Sequence, residues 1–98
     1  MTEYYTKEQL ASVAHISKRE ILQDIKDTKR EIEVEEKKAK AHSLLHDAQM
    51  AVGDLSGAKM SDFRRSGALN AIAKRRAFVA KLEKLLRSRE REDKNEAH

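Results

Sequence analysis

Apolar residues recur along this chain at spacings of three and four, the repeat that places side chains on one face of an α-helix. Leu10, Val13 and Ala14 mark a short first helix over about residues 7–14, with Thr6 as its cap. Ser17-Lys18-Arg19-Glu20 then reads as a capping box, and Ile16 stands where it can staple onto Ile21 or Leu22. From there no breaker appears until Gly53, so the pattern predicts a second helix over 18–52, about 50 Å long at about 1.5 Å per residue. Gly53-Asp54-Leu55-Ser56-Gly57 is the clearest turn signal. With Ser61-Asp62 taken as the next cap, the turn is expected over 53–60 and a third helix over 61–91. Gly67 lies inside that helix, and residues 92–98 form a polar tail expected to fray.

Two long helices joined by a short turn are antiparallel neighbours. Folding the chain about residue 57 pairs Leu45 with Leu69, and Ile32 or Val34 with Leu82 or Ala80. The third helix then offers an apolar face of Ala68, Ala71, Ile72, Phe78, Val79, Leu82, Leu85 and Leu86, answered by Ala41, Leu44, Leu45, Ala48 and Val52. In that register Ile21, Leu22 and Ile25 face polar residues. Ile21, Ile25, Thr28 and Ile32 are spaced as a coiled-coil seam without an intrachain partner, apart from helix one with Tyr4, Tyr5, Leu10 and Val13. The fold class expected is therefore all-α, a short N-terminal helix followed by a long antiparallel helical hairpin. It forms a single domain over 1–91, and it self-associates as a homodimer.

Composition supports helices and narrows the alternatives. The 98 residues include no Pro, no Cys and three Gly, against about five Pro and seven Gly at average usage. An all-β sandwich lacks its turn punctuation, and disulfide or zinc-thiolate scaffolds have no cysteine to build on. No apolar run approaches the roughly 18 residues of a membrane span and the first residues do not read as a signal peptide, so a cytoplasmic location away from membranes is expected. Leu, Ile, Val and Phe total 20 of 98, enough for only a thin core.

Charge is unevenly distributed. Residues 1–52 carry nine Lys/Arg against ten Asp/Glu, whereas residues 53–89 carry ten against three. The candidate binding residues follow from this: Arg64, Arg65, Lys74, Arg75, Arg76 and Lys81 lie on one predicted helix. In the expected register the acids Glu31, Glu33, Glu35 and Glu36 fall near residues 78–83, leaving the positive patch at 64–76 uncompensated. Such a patch suits an acidic protein surface or a phosphate backbone.

Residues 7–21 resemble a helix-turn-helix motif through Leu10, Ala11, Ala14, Ile16, Ser17 and Ile21, with His15 where the family has glycine. The resemblance implies a recognition helix presenting Ser17, Lys18, Arg19 and Gln23 to the major groove. A capping box with a staple produces the same residue pattern. Gly53-Asp54-Leu55 is similar to the tips of coiled-coil fingers that enter the RNA polymerase secondary channel. Those tips carry a second acid to hold a metal, where this chain has Ser56, Gly57, Ala58 and Lys59.

His42 and His46 are spaced i, i+4, as zinc ligands can be. A third ligand would have to come from Asp47 or from across the hairpin, such as Asn70, and rim histidines are the expected reading. No nucleophile–base constellation or phosphate loop is present, so neither catalysis, metal nor cofactor is expected. Function is expected to be that of a small interaction protein, with Tyr4, Tyr5, Lys18 and Arg19 joining the basic helix as binding residues for a larger protein. The alternative is a nucleic-acid-binding regulator using residues 7–21 and the third helix.

Overall fold

The computed structural model describes residues 6–13 and 15–96, with the side chains of residues 10, 13 and 92–96 left aside. Tyr4, Tyr5 and His98 lie outside the described residues, as does the packing expected of Leu10 and Val13. Three helices follow in order: α1 (Lys7–Val13), α2 (Lys18–Ala51) and α3 (Leu55–Glu96). The Thr6 hydroxyl accepts from the Gln9 amide while the Gln9 side chain accepts from the Thr6 N–H, a reciprocal capping box for α1. Ser17 caps α2, its hydroxyl accepting from Glu20 N–H at 3.1 Å.

α2 and α3 are antiparallel and pack against each other in an elongated hairpin of 68 × 27 × 17 Å. Its radius of gyration of 19.9 Å exceeds the roughly 13 Å of a compact 100-residue domain. A layer one helix thick has a single internal seam, so every residue outside that seam meets solvent. Residues at the seam repeat at four and three throughout. On α2 they are Ile21, Ile25, Thr28, Ile32, Glu35, Ala39, His42, His46 and Gln49, all buried or half-buried. On α3 the series from Ala58 through Ser61, Arg65, Ala68, Ile72, Arg75, Val79, Leu82 and Leu86 to Arg89 is likewise buried or half-buried. This heptad repeat is the signature of an antiparallel coiled coil.

The turn is tighter than its glycines suggested. Gly53 adopts φ +78°, a left-handed conformation that costs a residue with a Cβ about 1–2 kcal/mol. It ends α2 in a Schellman motif, with Gly53 N–H donating to the Met50 carbonyl and Asp54 N–H to the Gln49 carbonyl. Asp54 immediately caps α3, its carboxylate accepting from Gly57 N–H at 2.9 Å. Helix three therefore starts at Leu55 instead of 61, and extends to Glu96 through the segment expected to fray. Gly57 occupies the first turn of α3, where a Cβ would collide with the Asp54 carboxylate and the Gln49 amide.

The earlier start shifts the register and overturns three expectations. Ile21, Ile25 and Ile32 are not left without an intrachain partner. They form the main core cluster with Ile72 and Val79, covered by Leu82, Leu85 and Leu86. Leu45 and Leu69 do not pair in the core; they are 45% and 49% exposed. Phe78, Leu44 and Val52 also lie outside the core, as do Ala41 and Ala48. The physical reason is the cap at Asp54, which moves the fold point several residues toward the N-terminus and rotates the α2 face expected to be buried into solvent.

Candidate interaction surface

The two halves of the hairpin use their residues in opposite ways. Toward the open end the seam is mainly aliphatic, built on Ile21, Ile25, Ile32, Ile72 and Val79, with Thr28 buried among them and Arg75 and Arg89 half-buried. Toward the turn it is small or polar: Ala39, His42, His46 and Gln49 face Ala58, Ser61, Arg65 and Ala68. Ser61 is 2% exposed, and its hydroxyl lies 2.6 Å from the Gln49 side chain. With its amide nitrogen directed across the seam, Gln49 also donates to the carbonyls of Gly57 and Leu45. Arg65 reaches Asp62 at 3.3 Å, while its Nε is buried with no hydrogen-bond partner among the described residues.

Large apolar side chains sit outside this polar stretch. Val52 is 80% exposed, Phe63 76%, and Leu44 and Leu55 62% each, with Met50 and Met60 about half exposed. Helical periodicity sorts them onto two broad faces and two edges. One face carries Met50, Leu55 and Leu69, with Phe63 on its adjoining edge. The opposite face carries Val34, Ala41, Leu45 and Val52 of α2 beside Gly67, Ala71 and Phe78 of α3. The sequence signal for these exposed positions was available: counting strict fours and threes from Ile21 and back from Leu86 leaves all of them off the seam.

The basic residues are more fully engaged than their sequence positions implied. Arg75 lies 3.0 Å from Glu31, and Arg76 lies 3.4 Å from Glu36. The shifted register brings those acids to residues 75 and 76, so the patch at 64–76 is partly compensated within the chain, contrary to expectation. Arg64 and Lys74 are exposed and have no ion-pair partner among the described residues. Lys81 is exposed, Lys18 is half-buried and Arg19 is exposed at the start of α2. Arg89 donates to the Ile16 carbonyl and ties the α1–α2 link to the far end of α3.

Residues 7–13 and 18–21 belong to two capped helices; the broad packing of this chain is between α2 and α3. Gln23, a base-reading candidate in the helix-turn-helix resemblance, donates to Asp27 at 2.9 Å. His42 and His46 are half-buried, whereas Asn70 is exposed on the outer edge of α3. No cluster of three metal-ligating side chains occurs among the described residues. A shallow hollow of about 320 Å³ is lined by Glu33, Glu36, Lys37 and Lys40, all on α2. No helix among the described residues is long and apolar enough to cross a membrane. No protein-family model, curated protein or solved structure matches the chain.

Proposed function

We propose that this chain is a small non-enzymatic interaction protein, a cytoplasmic adaptor, assembly factor or inhibitor, that docks the turn end of its hairpin into an apolar recess of a larger protein. The observation that supports this reading is the inversion of the turn half, with polar residues at the seam and large apolar residues outside. Scattered exposed hydrophobics are ordinary on soluble proteins. Eight of the twelve exposed large hydrophobic side chains gather toward the turn end, the others being Ile16, Leu22, Val34 and Phe78, and such concentrations serve as contact surfaces. Leu55 and Phe63 are the proposed anchors, since aromatic and aliphatic side chains inserted in a pocket dominate interface energetics. The capped turn would hold them in place and limit the ordering cost on binding.

Nucleic-acid binding through residues 7–21 and the basic helix is the second reading. It is placed lower because Arg65, Arg75 and Arg76 already face carboxylates, which leaves fewer cations to release counterions from phosphate. The test compares tagged wild-type chain with a Leu55→Glu/Phe63→Glu double variant, both checked by circular dichroism. We expect the wild type to retain a stoichiometric protein partner that the variant loses at unchanged helicity. Salt-sensitive micromolar binding to random duplex DNA, equal in both proteins, would overturn the reading in favour of the second.

A further inference from the structure

The broad face bearing Val34, Ala41, Leu45 and Val52 is largely apolar toward the turn, with Arg64 and Lys38 among its apolar residues, and charged toward the open end. Its charges are divided between the two helices. At the open end the α2 flank carries Asp24, Asp27 and Glu31, the last already paired with Arg75 of its own chain, and the matching α3 flank carries Lys74 and Lys81. We propose that this face binds a second copy of the chain, related by a two-fold axis parallel to the hairpin, so that α2 of each copy lies over α3 of the other.

That arrangement satisfies three features together. The acidic flank of α2 faces the basic flank of the other copy's α3, and the apolar turn halves face each other. Turning the second copy end over end would instead set the apolar turn half on the acidic flank and bring the two Lys74 side chains together. In the proposed stack every neighbouring pair of helices is antiparallel, as in an up-down four-helix bundle. The face is about 40 Å long and about 20 Å wide, near the roughly 800 Å² per partner of a standard interface. Gly67 adds support. Glycine inside a helix costs about 1 kcal/mol relative to Ala, and a Cβ on Gly67 would meet nothing within 4 Å. Nothing in the single hairpin calls for a glycine there. In the proposed stack Gly67 lies under Ala41 of the other copy, where the absence of a Cβ lets the backbones approach. The inference does not rest on docking by Leu55 and Phe63, which the second copy leaves uncovered.

Sedimentation analysis of the full chain tests it. We expect a mass of twice 11.2 kDa at micromolar concentration, and a monomer with unchanged helicity for Leu45→Glu. An Asp24→Lys/Asp27→Lys variant and a Lys74→Glu/Lys81→Glu variant should each dimerise at least tenfold more weakly, because each opposes like charges to itself. Mixed in equal amounts, the two variants should regain wild-type affinity as a heterodimer. Mixing Ala41→Cys with Gly67→Cys chains should give a 41–67 disulfide on oxidation. Leu55→Glu/Phe63→Glu should dimerise normally even if it loses its protein partner, which separates this test from that of the turn end. A chain that stays at 11.2 kDa at 100 μM, or a dimer indifferent to Leu45→Glu and to both charge reversals, would overturn the proposal.

Discussion

Gln49 on α2 and Ser61 on α3 face each other across the seam, side chain to side chain at 2.6 Å, in the first layers beyond the turn. Polar residues at seam positions lower coiled-coil stability while specifying register. Here the pair lies next to the motif that sets the register, where the Gln49 carbonyl accepts from Asp54 N–H and the Asp54 carboxylate accepts from Gly57 N–H. The turn and the polar layer therefore form one hydrogen-bonded unit.

This unit makes unequal contributions through its two partners. Ser61→Ala removes a hydroxyl but leaves the Gln49 amide able to donate to the Gly57 and Leu45 carbonyls. Gln49→Ala removes all of those bonds. We expect Ser61→Ala to cost under about 1 kcal/mol and Gln49→Ala about 1–3 kcal/mol, read as the shift in urea midpoint. Equal costs would mean the amide does not bridge the turn.

The turn itself is a second point of sensitivity. Gly53→Ala places a Cβ on a residue at φ +78° and should cost about 1–2 kcal/mol. Asp54→Ala should cost about 0.5–2 kcal/mol by removing the cap of α3. Thermal melts of the two variants check this, and the same changes at Ser56 should have little effect.

Core assignment separates the observed register from the one inferred by folding about residue 57. Ile21 is 2% exposed and Leu44 is 62% exposed. Ile21→Ala should therefore destabilise by about 2–5 kcal/mol, and Leu44→Ala by no more than about 0.5 kcal/mol. Chemical denaturation of both variants provides the comparison. A larger loss at Leu44 would restore the register in which it is buried.

The helices and their order were legible in the chain because Thr6, Ser17 and Gly53 are local signals and require nothing from the rest of the fold. The register was not, because it depends on which of two caps wins. Ser61-Asp62 resembles a helix start as closely as Asp54 does, and only the Gly53–Asp54 geometry places Asp54 first. That choice decided the fate of Ile21 and Ile25, which appeared unpartnered, and of Leu45 and Phe78, which appeared buried. It also moved Glu31 and Glu36 onto Arg75 and Arg76. The basic helix was readable as a charge run, whereas its pairing was not. The exposed group around Leu55 and Phe63 is hidden in the sequence pattern because the glycine-flanked stretch 53–57 places Leu55 in the turn.

Site-specific photo-crosslinking in cells tests most directly whether the turn end is the docking surface. A photoreactive residue placed at Phe63, on the exposed edge near the turn, should form a single heteromeric protein adduct. The same probe at Lys26 or Arg87, on the opposite half of the hairpin, should form little of it. Adduct formation at Lys26 and Arg87 equal to that at Phe63, or adducts with nucleic acid alone, would contradict docking by the turn end.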